Sequence, residues 1–438
     1  MGSAAIIMLT GQSLNVWRGS TRFLDSGWAS AKIPVGGGTQ PEMDMFSINN
    51  DHPPDANEFT SAVAQTETVG GQSPIAGISS GMSSSGYDNI YLFSAARGSA
   101  DYNTIQTRGS IIALIYGLQR LYELAVADGH TVDEIVFYHA HGERAAASTA
   151  RTQQQYYDDS VAYFRRCQLL AAQYKGSPTY VAPIFFSMPL QNKTPTPAVS
   201  AAADITIKNA IKQLKDDGDI ENLFILPSYP MSLDTGSDYT HGSEEDFVRR
   251  GEYVGKLISD HVNGTPYQQL RLISVSQSGD QVTCQFTHNI VRDATNLFSD
   301  SYDDLDGFEY YDNGSEILVS SIIYSGDTAT LTLASTPEGT AEQQVVRLGL
   351  HVTGASGAAI TGQNGTLIRK DQAGWASTVD GDFTQNDWAL QEEVTGLPYT
   401  YTPPAASELF FDPFTEVEWY QRRRKLWRRA RAPAEFDN

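Results

Sequence analysis

The sequence predicts an α/β protein: a parallel sheet covered by helices on both faces over residues 4–262, then a β-rich region over 265–400. Three observations predict this. Short apolar runs alternate with amphipathic segments through the first part, the pattern of strand–helix repetition. The first run, Ile6-Ile7-Met8-Leu9, is apolar at every residue, as a strand buried on both faces requires. After Asn263-Gly264-Thr265-Pro266 the helical period gives way to strand patterning and turn signals.

Length and composition bound the rest. At 438 residues the chain is too long for one typical core and suggests two domains plus extensions. Apolar content of 40% and aromatic content of 11% are those of a core-forming protein. The formal charge of −22 argues against general nucleic-acid binding, since a polyanion would be repelled. It favours solubility and a high-salt or extracellular setting. Cys167 and Cys284 fall in different predicted domains, so they read as two buried free thiols. No apolar run reaches the ~18 residues of a membrane span. The N-terminus lacks a basic region, and its apolar stretch runs straight into a Ser13 motif, so it is read as a strand and not as a signal peptide.

The elements follow in order. The first strand breaks at Gly11, which permits a sharp turn, and Ser13 follows two residues later. Residues 15–85 are rich in Gly, Ser, Pro and Asn and read as a long ordered loop region, because Trp17, Phe23, Trp28 and Phe46 are spread through it. Strands are expected at 89–95 and 133–138, with a helix over 109–127 between them that Gly129 stops. Helices follow at 153–174, 201–216 and 243–262, and strands at 180–186 and 222–226. Pro183 inside one of these strands weakens that assignment. In the second region, Ser278-Gly279-Asp280 marks a hairpin, and strands are expected at 317–324, 329–334 and 345–352. A β-sandwich is the expected arrangement. The predicted boundaries are therefore 1–264, 265–400 and a C-terminal extension over 401–438. That extension carries seven basic residues from Arg422 to Arg431 around Trp419, Leu426 and Trp427. It fits either an amphipathic helix that docks on a partner or a basic tail neutralised by the acidic body of its own protein or oligomer.

Ser13 would stand just past the carboxyl end of the first strand, where open α/β sheets place ligands. A serine hydroxyl attacks only when a base takes its proton, usually a histidine oriented by a carboxylate. Among eight histidines, His241 stands out: Asp238-Tyr239-Thr240-His241 follows the last strand and precedes a helix that Ser243 can cap. Three-residue spacing in a turn lets Asp238 receive the Nδ1 proton of His241 while Nε2 faces the nucleophile.

Gly11-Gln12-Ser13, the glycine at Gly98, His141-Gly142-Glu143 after the third strand, and Asp238-x-x-His241 resemble, in that order, the SGNH (GDSL-type) hydrolases. The branch this pattern is most similar to is that of the sialate O-acetylesterase-like carbohydrate esterases. Gly71-Gln72-Ser73-Pro74 followed by Gly77 also resembles a loop of that branch. The resemblance covers residues 4–262 and implies a flavodoxin-like three-layer α/β/α fold and ester hydrolysis through an acyl-enzyme. It makes Ser13 the nucleophile, His241 the base and then the acid, and Asp238 its orienter. It assigns the backbone N–H groups of Ser13 and Gly98 to the oxyanion, with Gln12, Asn15, Trp17 and Arg97 as substrate-binding residues. This chain departs from the family at His141, where that branch has Gln and the wider superfamily Asn. A neutral imidazole donates one hydrogen bond, so His141 is either the third oxyanion donor or a packing residue. Arg144-Ala145 also replaces the usual Ser-Asp. Glu143 is read as a loop-ordering residue and His139 as structural.

Other signals carry less. Asp300, Asp303, Asp304 and Asp306 cluster near Gly307, but Tyr302 and Asn313 break the calcium-loop spacing. Asn364-Gly365-Thr366 fits the glycosylation triplet without a secretory signal, and Gly36-Gly37-Gly38 lacks the setting of a phosphate loop. No cofactor and no metal are expected.

The expected function is that of a serine esterase removing acyl groups, acetyl foremost, from a carbohydrate such as an acetylated bacterial surface polysaccharide. The chain also looks similar to phage tail or spike esterases. That implies a virion or extracellular place without a signal peptide, a cytoplasmic stage before release, and virion partners at the Arg-rich end, while the sequence leaves open whether the chain forms a homo-oligomer. The alternative is a non-catalytic glycan-binding or structural spike protein that keeps the hydrolase fold. A lipase or thioesterase would need a long apolar tunnel, and the loops over 15–85 are polar and aromatic instead.

Overall fold

The computed structural model describes residues 2–11, 18–19, 31–35, 61–64, 71–72, 74–96, 101–106, 109–142, 151–189, 197–227, 244–265, 267–293, 307–350, 368–377 and 384–401. Within them the chain forms β1 (Gly2–Gly11), the short β2 (Arg18–Gly19), β3 (Ala31–Val35), β4 (Ser61–Ala64), β5 (Gly71–Gln72) and helix α1 (Pro74–Gly81). There follow β6 (Asn89–Ser94), α2 (Tyr102–Gln106), α3 (Gly109–Ala127), β7 (His130–Ala140) and α4 (Gln153–Lys175). β8 (Ile184–Ser187), α5 (Pro197–Asp217), β9 (Leu223–Leu226) and α6 (Glu244–Val262) complete the α/β part.

One sheet organises this part, in the order β4-β3-β6-β1-β7-β8-β9 among the described residues. The five strands β6, β1, β7, β8 and β9 run parallel. β3 joins β6 in parallel and β4 closes the edge antiparallel. Ala4 to Leu9 are all 0% exposed, so the all-apolar run of β1 is explained by cover on both faces. Ile6, Met8, Phe93 and Phe137 face one core with α3, α4 and α5, and Ile7, Leu9, Leu92 and Val136 face a second core with α1 and α6.

Several elements differ from the expectation. The region 15–85 was expected as loop only, yet it contributes β2 to β5 and α1; these strands have two to five residues, too few for a periodic signal. β7 begins at His130, three residues earlier than expected, and α5 begins at Pro197. β8 begins directly after Pro183, whose carbonyl still accepts from the Phe137 N–H at 3.0 Å although proline has no N–H to give. α4 matches its expectation because its ends are chemically marked. Thr152 and Gln155 form a capping box, and Gly176 ends the helix at φ +62°.

α1 and α6 cross with backbones in contact. A Cβ on Gly77 would stand 1.8 Å from the Val248 carbonyl oxygen, and one on Gly251 would stand 2.1 Å from that of Pro74. Gly81 and Gly255 repeat the arrangement one turn on, against Glu252 and Ile78. Only glycine fits these four places.

The β-rich region holds β10 (Leu272–Ser278), β11 (Gln281–Phe286), β12 (Ile290–Arg292), β13 (Phe308–Asp312), β14 (Ser315–Glu316), β15 (Val319–Ser325), β16 (Thr328–Leu333) and β17 (Gln344–Leu348). β18 (Ile368–Lys370), β19 (Trp375–Ala376), β20 (Thr384–Gln385), β21 (Glu392–Thr395) and β22 (Tyr399–Thr400) follow. β10 and β11 form the expected hairpin, with Gly279 at φ +62° in its turn. A five-stranded antiparallel sheet and a four-stranded one share a third core that includes Leu272, Val282, Cys284, Phe308 and Val346. Cys167 lies buried in the first core and Cys284 in this one, both as free thiols.

Contacts join the two parts closely. Trp388 is 1% exposed within the core beneath α1 and α6, and Leu390 reaches the opposite core. On α6 the buried Glu252 accepts from Ser377 Oγ at 2.5 Å and from Gln385 Nε2 at 3.3 Å, while Trp375 stacks on Tyr253 with centroids 5.8 Å apart. Arg271 pairs with Asp216 of α5 at 2.8 Å and with the buried Glu392 at 3.2 Å.

Candidate active site

The parallel register brings the carboxyl ends of β6, β1, β7, β8 and β9 to one edge. Leu9 pairs with Ser94, Gly11 with Ala140, Ala140 with Ser187, and Ser187 with Leu226. The strands that precede Gly98, Ser13, His141 and Asp238 in the sequence thus all end at that carboxyl edge. Along the chain β1 is followed by β3, β4 and β6 on one side of it and then by β7 on the other, so the topological switch point lies between β1 and β7. Ligands of open α/β sheets bind in the crevice at such a point. Here its walls are Gly11 and Ala140.

Ser13, Gln12, Asn15, Trp17, Arg97, Gly98, Glu143, Asp238, His241 and Ser243 lie outside the described residues. So do Ser73, the Asp300–Asp306 cluster, Asn364, Gly36-Gly37-Gly38 and the Arg-rich segment. Gly11 has φ +103°, and a Cβ there would stand 2.0 Å from the Ala140 carbonyl oxygen. Position 11 thus needs glycine twice over, for its backbone angle and for its contact. Adjacent strands lie ~4.8 Å apart, so the ends of β1 and β9 are about 14 Å apart across β7 and β8. The residues between Pro227 and Glu244 are ample to cross that distance.

His141 is the one described member of the predicted site. It is 0% exposed, and its ring lies 4.3 Å from the Tyr102 ring at an interplanar angle of 37°. Its Nδ1 is 2.9 Å from the Tyr156 hydroxyl. Gly142 follows at φ +133°, where a Cβ would crowd Pro189 and Ile207.

Beneath His141 runs a buried polar network that the sequence reading missed. Thr10 Oγ1 lies 2.8 Å from His139 Nδ1, His139 Nε2 lies 3.3 Å from the Tyr102 hydroxyl, and Ser160 Oγ donates to that hydroxyl at 2.8 Å. Burial holds His139 well below the usual histidine range, and His141 nearby adds to the effect. Its surroundings, Tyr163, Phe164 and Phe186, give it a structural place. Tyr156, Ser160 and Tyr163 sit at helical spacing on α4, a stripe the sequence presents only as core.

Among the described residues, no three His, Cys, Asp or Glu side chains are grouped to hold a metal ion, and no helix is long and apolar enough to cross a membrane.

No family model matches the chain, and no curated protein does. Solved structures similar to it include a carbohydrate acetylesterase from Xanthomonas citri, with a TM-score of 0.49 and 12% identity, covering 82% of this chain and 78% of that one. A carbohydrate acetylesterase from Sinorhizobium meliloti has a TM-score of 0.33 and 16% identity, covering 59% of this chain and 99% of that one. A lipolytic protein of the G-D-S-L family from Veillonella parvula has a TM-score of 0.26 and 11% identity, covering 57% of this chain and 96% of that one. Likeness of this degree says nothing about what this chain acts on.

Proposed function

We propose that this chain is a serine esterase that removes acyl groups, acetyl foremost, from an acetylated carbohydrate such as a bacterial surface polysaccharide. The observation that carries this reading is the pairing of Gly11 with Ala140 at the switch point. There β1, which Gln12-Ser13 follow in the sequence, ends beside β7, which His141-Gly142-Glu143 follow.

In this reading Ser13 Oγ attacks the acetyl carbonyl while His241 Nε2 takes its proton, and Asp238 holds the Nδ1 proton of His241. The developing oxyanion receives the backbone N–H groups of Ser13 and Gly98 and the ring N–H of His141. Each such donor is typically worth ~3 kcal/mol. Collapse breaks the bond to the sugar oxygen, which leaves with the proton from His241, and the acetyl group stays on Ser13. Water, deprotonated by His241, then releases acetate and restores the serine. Gln12, Asn15, Trp17 and Arg97 would hold the sugar beside the crevice. We also read the two antiparallel sheets as one β-sandwich that presents polymeric substrate, and the Arg-rich end as the attachment to a virion.

The test is acetate release from a panel of acetylated bacterial polysaccharides, by wild type and by Ser13→Ala. Release by wild type alone is expected. Equal release by both proteins, or by neither on any substrate including p-nitrophenyl acetate, sinks the reading and favours a non-catalytic glycan-binding protein.

A further inference from the structure

A neutral imidazole donates from one nitrogen and accepts at the other. Which nitrogen of His141 carries the proton therefore decides whether the ring can donate toward the crevice. Nδ1 lies 2.9 Å from the Tyr156 hydroxyl, and the same hydroxyl lies 3.2 Å from the His141 carbonyl oxygen. A phenol has a single proton to give. Bonds of the O–H···O kind run ~2.5–3.0 Å, so of the two acceptors within reach of that proton the carbonyl at 3.2 Å is the weaker and Nδ1 at 2.9 Å the stronger.

We infer that Tyr156 donates its hydroxyl proton to Nδ1 of His141 and so holds the ring with its own proton on Nε2, making Tyr156 a positioning residue for the third oxyanion donor. The part that concerns the oxyanion rests on the esterase reading above.

The surroundings fix both rings. His141 and Tyr156 are each 0% exposed, and the His141 ring packs against Tyr102 at 4.3 Å and His139 at 5.6 Å. Tyr156 sits in the first turns of α4, where its N–H donates to the Thr152 carbonyl at 3.0 Å and Thr152 caps the helix. Ser160 Oγ lies 2.8 Å both from the Tyr156 carbonyl and from the Tyr102 hydroxyl, tying the helix to the ring that packs against His141. A ring packed this way has little freedom to turn, so the hydrogen bond at Nδ1 sets what Nε2 presents. This also accounts for how a histidine could serve where an amide would otherwise donate. An amide nitrogen donates in every state, and a histidine does so only when another group occupies its second nitrogen.

The test has a spectroscopic arm and a kinetic arm on the full chain. The 15N spectrum of histidine-labelled protein, with His141→Asn to assign the ring, is expected to show His141 protonated on Nε2. A wild-type ring protonated on Nδ1 overturns the inference, and this readout needs no catalysis. In the kinetic arm, Tyr156→Phe is expected to lower kcat on p-nitrophenyl acetate at least about tenfold with KM unchanged. In a His141→Asn background it is expected to cost nothing further. Equal losses in both backgrounds, or none in either, overturn the positioning role. If wild type and Ser13→Ala hydrolyse the ester equally, the esterase reading has failed instead, and the spectrum alone decides the tautomer.

Discussion

Gly11 and Ala140 meet so closely that a Cβ on Gly11 would stand 2.0 Å from the Ala140 carbonyl oxygen. This contact sits at the end of the central strand, two residues before Ser13 in the sequence. Gly11→Ala adds a methyl group to a backbone held at φ +103° and drives it into a carbonyl of the adjacent strand. The expected cost exceeds about 3 kcal/mol, combining strain with a clash that neither strand can relieve. Urea unfolding of Gly11→Ala against wild type measures it, and an unchanged midpoint would contradict the contact.

The α1–α6 crossing yields a second prediction. Gly251→Ala forces the helices apart, because its Cβ would stand 2.1 Å from the Pro74 carbonyl oxygen. The expected loss is ~1–3 kcal/mol of stability, the usual cost of overpacking. Since α6 begins three residues after His241, esterase turnover should fall with it. A variant with wild-type melting temperature and turnover would show that the crossing tolerates a methyl group.

Trp388 ties the β-rich region into the α/β core, with its Nε1 donating to the buried Asp293 at 2.9 Å. Trp388→Ala should cost ~3–5 kcal/mol, the range for removing a large buried aromatic ring. A chain cut after Gly264 would also leave Glu252 without Ser377 and Gln385, so it is expected to be insoluble or unfolded. A soluble 1–264 fragment with wild-type turnover would show that the β-rich region is dispensable for the fold of the first part.

His139 makes stability depend on pH. Burial holds its folded pKa well below that of the unfolded chain, which is ~6.5. Between those values the unfolded chain binds the extra proton. The stabilisation is therefore full above about pH 6.5 and declines as pH falls, by up to ~1.4 kcal/mol per unit. Urea midpoints from pH 7.5 down to 5 should fall more steeply for wild type than for His139→Gln. Parallel curves would remove His139 as the cause.

Much of the scaffold was legible in the chain because it is written in local patterns. The apolar run of β1, the 109–127 helix and the Ser278-Gly279-Asp280 turn each carry a period or a turn residue that has one structural meaning. The strands within 15–85 escaped because two to five residues give no period to read. At the site, Gly11 and His141 were legible through spacing. Tyr156, Tyr102 and Ser160 were not, since a tyrosine on a buried helical stripe looks the same whether its hydroxyl meets a histidine or not.

By itself, then, the sequence determined the strand and helix alternation, the turn at Gly11, and the order of Ser13, His141, Asp238 and His241 along the chain. Tertiary structure decided that Gly11 and Ala140 stand side by side, that four glycines let α1 and α6 touch, that Trp388 enters the α/β core, and which hydroxyl faces Nδ1 of His141. The physical reason is range. Backbone preference and hydrophobic period act over a few neighbouring residues. A hydrogen bond between side chains, or a fit between two backbones, depends on where distant segments come to rest, and no local pattern encodes that.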